Sequence, residues 1–292
     1  MTRAPDWDVE GRNWPNREAS RFLEVGGLRW HVQIMGEGPP LLLLHGTGAA
    51  THSWRDVAPL LAATHKVVSL DLPGHGFTST PKRPTDFALP QVARGVSDVL
   101  RALEISPSAL IGHSAGAAIA VRMALDGCAA PEGIVGLNAA LLPFPGPLGP
   151  LAPILARTLF HNPAAVSIFA HRAAQRGAIE SLLRGTGSSI DPSGVELYER
   201  LFRKRGHLEG AVALMSHWDL VALQRELPRV QAPVALIVGD RDRAVPPAAA
   251  ETIRRSVRHV RIMKAQGLGH LAHEEAPALV SGMILAALEQ AR

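Results

Sequence analysis

The sequence predicts an α/β protein: a mostly parallel central sheet with helices on both faces and a helical lid inserted into it. Three observations carry that expectation. Apolar runs of strand length alternate with amphipathic helical segments as far as Leu141. The alternation stops from Leu142 to Leu223, where no segment reads as a strand. It resumes with the continuous apolar run Pro233-Val-Ala-Leu-Ile-Val-Gly-Asp240. A structureless loop of about 80 residues has no place in a compact protein. The chain therefore divides into a first part of the core at 1–142, a helical cap at 143–223 and a second part of the core at 224–292.

Composition sets the bounds. A chain of 292 residues with 47% hydrophobic and 19% charged residues can bury a sizeable core, and disorder is excluded. The formal charge is +4, but the basic residues are interleaved with acids and with no aromatic pattern, which argues against nucleic acid. The one cysteine, Cys128, rules out an internal disulfide and fits a reducing compartment. The N-terminus lacks the apolar stretch of an export signal, and the apolar region from Gly133 to Pro153 is broken by Gly and Pro, so no transmembrane span is expected. The expected setting is the cytoplasm, with a peripheral position at a membrane left open.

Residues 1–19 are polar, carry Trp7 and Trp14, and read as an arm lying on the body. Arg21–Val25 and Leu28–Ile34 alternate apolar and polar around Gly26-Gly27, the pattern of a two-residue hairpin. Leu41–Leu44 and Lys66–Leu72 read as strands, with a helix from Trp54 to Ala63 between them. Gln91–Glu104 places Val92, Val96, Val99, Leu100 and Leu103 on one helical face, and Gly133–Leu141 is the next strand. In the cap, helices are expected near Ile154–Phe160, Pro163–Arg176, Gly194–Lys204 and Gly206–Arg225. A helix at Pro247–Arg255, a strand at Val260–Ala265 and a closing helix near Pro277–Glu289 complete the chain.

The chemistry concentrates at strand ends. Ser108-Ala-Leu-Ile-Gly-His-Ser-Ala-Gly116 runs a short buried strand into an apolar helix, with Gly112-His-Ser-Ala-Gly116 at the junction. A G-x-S-x-G turn of this kind projects its serine hydroxyl from a strained backbone, and its glycines let strand and helix approach. Ser114 is the candidate nucleophile, and the Ala115 N–H lies where an oxyanion would form. His45-Gly-Thr-Gly48 follows an early strand but lacks the Lys-Ser/Thr of a phosphate loop, so the Thr47 N–H is read as the second oxyanion donor.

A serine hydroxyl needs a base to take its proton and an acid to hold that base in one tautomer. Gly239-Asp-Arg-Asp-Arg-Ala-Val-Pro246 supplies Asp240 and Asp242 past a buried strand, and Gly267-Leu-Gly-His270 supplies a histidine past the last one. His270 and His273 share a helical face on which a metal could sit, but the H-E-x-x-H pattern and cysteines are absent, so neither metal nor cofactor is expected. His45, His113, Arg157, Arg172 and His273 are the candidate substrate contacts, with an orienting role for His45 and a supporting or core role for His273 as the alternatives. The cap histidines His161, His171, His207 and His217 read as solvated or pocket-lining.

The elbow, the His45–Gly48 loop, Asp71-Leu-Pro-Gly-His-Gly76, the loop ending at Asp242 and Gly269-His270 together resemble the α/β-hydrolase fold, from about residue 20 onward. The resemblance implies Ser114 as nucleophile, His270 as base and Asp242 as acid. Asp242 is favoured over Asp240 because the family's acid lies three residues after the glycine. Family members that dehalogenate or open epoxides carry Asp at the elbow, and Ser114 argues against both.

A closer resemblance lies in Asn13-Trp-Pro-Asn-Arg-Glu-Ala-Ser-Arg-Phe22, Gly27-Leu-Arg-Trp-His-Val32, His45-Gly-Thr-Gly-Ala-Ala-Thr-His-Ser-Trp54, Leu137-Asn-Ala-Ala-Leu-Leu-Pro143 and Gly267-Leu-Gly-His-Leu-Ala-His-Glu-Glu-Ala-Pro277. These segments are similar to the magnesium-chelatase accessory proteins of bacteriochlorophyll biosynthesis. That implies a small-molecule substrate from tetrapyrrole metabolism, a porphyrin among the candidates, and a magnesium-chelatase subunit as partner. Two functions follow as expectations. One is a serine hydrolase acting on an ester, lactone or thioester, including substrates unrelated to porphyrins. The other is a porphyrin-handling protein whose cap arginines Arg157, Arg172, Arg176 or Arg184 pair with propionates.

Overall fold

Gly26 and Gly27, with φ of 60° and 75°, turn strand β1 (Ser20–Val25) directly into β2 (Leu28–Met35), so that Val25 pairs with Leu28. The computed structural model describes residues 4–143, 175 and 177–290. Its sheet has eight strands in the order β1-β2-β4-β3-β5-β6-β7-β8. The later strands are β3 (Pro40–Leu44), β4 (Lys66–Leu70), β5 (Ala109–His113), β6 (Gly133–Leu137), β7 (Val234–Gly239) and β8 (Val260–Ala265). The pairs β1–β2 and β2–β4 are antiparallel, and every other pair is parallel.

The inner parallel strands β3, β5, β6 and β7 are almost wholly buried because both of their faces are covered. Leu42, Leu44, Val68, Leu70 and Leu110 point to one side, where Val92, Val96 and Val99 of the helix at Leu89–Ala102 cover them. The helices of the first half are α1 (Val57–Ala62), α2 (Leu89–Ala102) and α3 (Ala115–Leu125), and Ile119 of α3 belongs to that same layer. The alternate residues Leu41, Leu43, Val67, Ile111, Val135 and Leu137 point to the other side, against Leu61 of α1. A period of two along each strand thus feeds two cores.

Between β6 and β7 the described residues form no strand, only helices: α4 (Ala178–Gly185), α5 (Pro192–Phe202), α6 (Arg205–Ser216) and α7 (Leu220–Glu226), with a short 3-10 turn after them. Helix α4 is absent from the sequence expectation. The helix expected from Gly206 to Arg225 is two, because Asp219 adopts a non-helical backbone and accepts the Ala222 N–H at 2.9 Å as the cap of α7. Helix α5 begins two residues earlier than expected. Asp191 accepts the Gly194 N–H at 2.9 Å, and Pro192 fits the first turn, where no N–H is required. The helices expected near Ile154–Phe160 and Pro163–Arg176 fall outside the described residues, Gln175 excepted.

After β7 come α8 (Ala248–Ser256), then β8, α9 (Ala272–Glu275) and α10 (Pro277–Glu289). Ile253 of α8 joins the α2/α3 side, and Val280 and Ile284 of α10 join the α1 side. The N-terminal arm does lie on the body. Trp14 is buried and donates its indole N–H to Thr51 Oγ1 at 2.9 Å, the Gln33 amide donates to the Pro15 carbonyl at 2.7 Å, and Arg200 of α5 donates to the Glu10 carbonyl at 2.7 Å. Among the described residues no helix is long and apolar enough to cross a membrane.

Candidate active site

Sheet register delivers the candidate residues to one end. Leu44 of β3 pairs with Gly112 of β5, His113 with Leu137 of β6, Leu137 with Ile237 of β7, and Gly239 with Ala265 of β8. Thr47, Ser114, Asn138, Asp242 and His270 all lie within five residues beyond these pairs, so the loops that carry them leave the same edge. Ligand sites of open parallel sheets form at such carboxyl ends.

At the elbow, Ser114 has φ 50° and ψ −115°, a backbone that a side-chain-bearing residue adopts only under strain. Two glycines make room for it. A Cβ on Gly112 would lie 2.3 Å from the Ala117 nitrogen, and one on Gly116 would lie 2.0 Å from the Leu44 carbonyl oxygen. Ser114 is partly exposed. The loop after β3 presses against it: a Cβ on Gly46 would lie 3.1 Å from Ser114 Cβ. Neither the Thr47 nor the Ala115 N–H donates to an acceptor among the described residues.

His270 Nδ1–H donates to Asp242 Oδ2 at 2.8 Å, and both residues are buried. The same oxygen accepts from Asn138 Nδ2 at 2.6 Å. The other carboxylate oxygen accepts the N–H groups of Ala244 and Val245, each at 2.8 Å. The carboxylate is thus fixed by four donors. Asp240 faces elsewhere: it is exposed and accepts the Gly267 N–H at 2.7 Å, tying the turn after β8 to the end of β7.

Three of the candidate substrate contacts are buried and bonded within the fold. His45 is 0% exposed; its Nδ1–H donates to the Gly46 carbonyl at 2.8 Å, and its Nε2 accepts the Leu72 N–H at 2.9 Å, so it orients the loop. His113 is 2% exposed, and its Nε2–H donates to the His270 carbonyl at 2.9 Å, bracing the backbone of the candidate base. His273 is 1% exposed, with its Nε2 2.7 Å from Ser53 Oγ. Burial lowers the His273 pKa to about 3, with the neighbouring His270 and Arg55 adding to the effect. His207 is not pocket-lining either. It accepts the Gly76 N–H at 3.1 Å and donates to the Gly48 carbonyl at 3.0 Å, stitching α6 to two loops, and burial lowers its pKa to about 4. Arg157 and Arg172 lie outside the described residues. No group of three or more His, Cys, Asp or Glu placed to hold a metal ion occurs among the described residues.

Sequence reasoning missed two features. Asn138 has φ 46°, a conformation that asparagine tolerates better than other side chains, and this aims its amide at Asp242. The second is a buried polar network. Arg55 donates to Glu274 Oε2 at 2.5 Å and to Asp191 at the start of α5 at 2.6 Å, while Glu274 Oε1 accepts from Tyr198 of α5 at 2.7 Å and from Ser53 at 2.9 Å. Burial opposes the Arg55 charge, but Glu274 and Asp191 outweigh it and hold the guanidinium ionised. Arg55 and Glu274 are 219 positions apart, and no local pattern in one sequence links them.

The family model of the alpha/beta hydrolase fold matches residues 39–277. The chain is 41% identical over 279 residues to a protein named magnesium-chelatase 30 kDa subunit from Rhodobacter capsulatus, covering 95% of this chain and 97% of that one. Among solved structures, an alpha/beta hydrolase fold protein from Burkholderia ambifaria superposes with a TM-score of 0.77 at 20% identity, covering 92% of this chain and 97% of the other. An epoxide hydrolase superposes with a TM-score of 0.78 at 22% identity, covering 94% and 99%. At such identities the structures speak to the fold alone. The chain belongs to the α/β-hydrolase fold family, and within it stands beside the Rhodobacter capsulatus protein named magnesium-chelatase 30 kDa subunit.

Proposed function

We propose that this chain is a serine hydrolase-type enzyme of bacteriochlorophyll and porphyrin metabolism, working in the cytoplasm as an accessory to magnesium chelatase and acting on a tetrapyrrole. The observation that carries the catalytic half is the His270 Nδ1 to Asp242 Oδ2 hydrogen bond of 2.8 Å, set on the same sheet edge as the strained Ser114. The pathway half is supported by the likeness to the Rhodobacter capsulatus protein over nearly the whole of both chains.

The chemistry follows from the positions. With Nδ1–H committed to Asp242, the His270 Nε2 lone pair is the free basic site. Ser114 Oγ attacks the carbonyl carbon of an ester as His270 takes its proton, and Asp242 stabilises the imidazolium that forms. The N–H groups of Thr47 and Ala115 receive the charge that develops on the carbonyl oxygen. His270 then protonates the departing alkoxide, and a water molecule, deprotonated by the same histidine, releases the acid and restores Ser114. In this proposal residues 143–223 act as the lid, and Arg157 and Arg172 pair with substrate carboxylates.

The test is an absorbance time course of the protein mixed with protoporphyrin, its magnesium and zinc complexes and their methyl esters, run beside Ser114→Ala. A progressive conversion lost in Ser114→Ala supports the enzyme. An immediate, constant band shift in both proteins would replace it with a carrier that does not use the serine. No change with any tetrapyrrole, together with Ser114-dependent turnover of simple esters, would leave a general esterase or lactonase.

A further inference from the structure

Helix α10 differs from the charge-bearing surface helices α2 and α8. Pro277-Ala-Leu-Val-Ser-Gly-Met-Ile-Leu-Ala-Ala-Leu-Glu289 has no charged residue before its last position. Val280, Ile284 and Ala287 are buried against the sheet. The outward stripe carries Ala278, Leu279 and Gly282, all exposed, and Ala286, half-buried. A surface helix ordinarily places charged side chains there, as α2 does with Arg94 and Arg101. Helix α1 packs beside α10 and exposes Pro59 and Leu60. Leu60 is 45% and Leu279 52% exposed, so each of these two packed helices shows a large apolar side chain to solvent.

Cations adjoin that face. Ala287 and Leu288, at the far end of α10, line a cleft of about 400 Å³ together with Arg258, His259, Arg261 and Gln290. Arg258 and Arg261 are exposed, and neither pairs with a carboxylate among the described residues. Residues 251–264 hold Arg254, Arg255, Arg258, Arg261 and Lys264 against Glu251 alone. An apolar face beside unpaired arginines matches the boundary of a bilayer, where acyl chains and phosphates lie within a few ångströms of each other. A second copy of the chain would bring the same positive charge to the contact.

We propose that the α1/α10 face, with the Arg258/His259/Arg261 cleft at its end, docks on the surface of an anionic phospholipid bilayer. Leu60 and Leu279 enter the acyl boundary, and the arginines hold headgroup phosphates. The inference is independent of the catalytic reading, and its test reads lipid binding alone. The full chain is sedimented with vesicles of phosphatidylcholine and with vesicles of phosphatidylcholine mixed with phosphatidylglycerol, at low and high salt. The expected result is binding to the mixed vesicles that salt weakens. Arg258→Gln with Arg261→Gln is expected to lower that partition by about 25-fold, at about fivefold for each charge. Leu279→Ser is expected to lower it while leaving the salt dependence in place, and Leu60→Ser repeats the test from the other helix. Far-UV circular dichroism and thermal melting establish that each variant is folded. Absence of binding by the unaltered chain would overturn the proposal, as would equal binding by folded variants. So would a soluble dimer that Leu279→Ser dissociates while no vesicle is bound, which would give this face to a second copy.

Discussion

Asn138 donates its side-chain amide to Asp242 Oδ2 at 2.6 Å, the same oxygen that receives the His270 Nδ1–H at 2.8 Å. The end of β6 and the loop after β7 thus meet on one atom of the proposed acid. Asn138 is a positioning residue under this reading, since it acts through Asp242. Asn138→Gly keeps the left-handed backbone and removes only the amide; Asn138→Ala removes the amide and adds strain at φ 46°. Both are expected to lower kcat on any accepted ester with KM little changed. Asn138→Ala should also be the less stable of the two, by about 1 kcal/mol in urea unfolding.

The strain at Ser114 makes a prediction with opposite signs for activity and stability. Its φ of 50° and ψ of −115° suit glycine. Ser114→Gly is expected to gain about 1 kcal/mol of stability, seen as a higher thermal midpoint, and to lose Ser114-dependent turnover entirely. A less stable Ser114→Gly protein would mean that the serine hydroxyl contributes more than the backbone strain costs.

The Arg55–Glu274 pair is buried, so removing one partner leaves an uncompensated charge. Arg55→Met is expected to cost about 3 to 5 kcal/mol. Tyr198→Phe removes one hydrogen bond to the same carboxylate and should cost about 1 kcal/mol. The double variant Arg55→Met with Glu274→Gln is expected to recover part of the loss, which a double-mutant cycle in urea measures.

Six buried histidines, His45, His52, His75, His113, His207 and His273, have pKa values lowered from 6.5, with burial the largest cause in each. The unfolded chain binds protons at these sites below pH 6.5, whereas the folded chain does so only near pH 4 for His207 and pH 3 for His273. Their contribution to stability is therefore complete above 6.5 and is lost as pH falls below it. Each histidine contributes a slope of up to about 1.4 kcal/mol per pH unit. Urea midpoints measured from neutral pH down to pH 4 should fall with a slope of more than one proton. His207→Gln or His273→Gln should flatten it; an unchanged slope in both would show that other groups govern acid unfolding.

Much of the fold was legible because its signals are local. Gly26-Gly27 set the hairpin, the apolar runs at Leu41–Leu44 and Val234–Gly239 set buried parallel strands, and Gly112 and Gly116 set the elbow, each within a few residues of sequence. The helix boundaries between β6 and β7 were less legible, because Asp219 and Asp191 cap helices through their own side chains, and a capping aspartate is not distinguishable by type from a solvated one.

The sequence by itself determined the strands and the helices that flank them, the serine at the elbow and the residue types at the strand ends, since backbone preference and hydrophobic period act over short distances. Only the tertiary structure decided which acid faces His270, what steadies it, and which histidines are structural. His113 meets the His270 carbonyl 157 positions away, and Arg55 meets Glu274 across 219. Such partners are fixed by the sheet order and by which segments pack over the strand ends, so burial, and with it the line between a substrate contact and a buried brace, belongs to the folded chain.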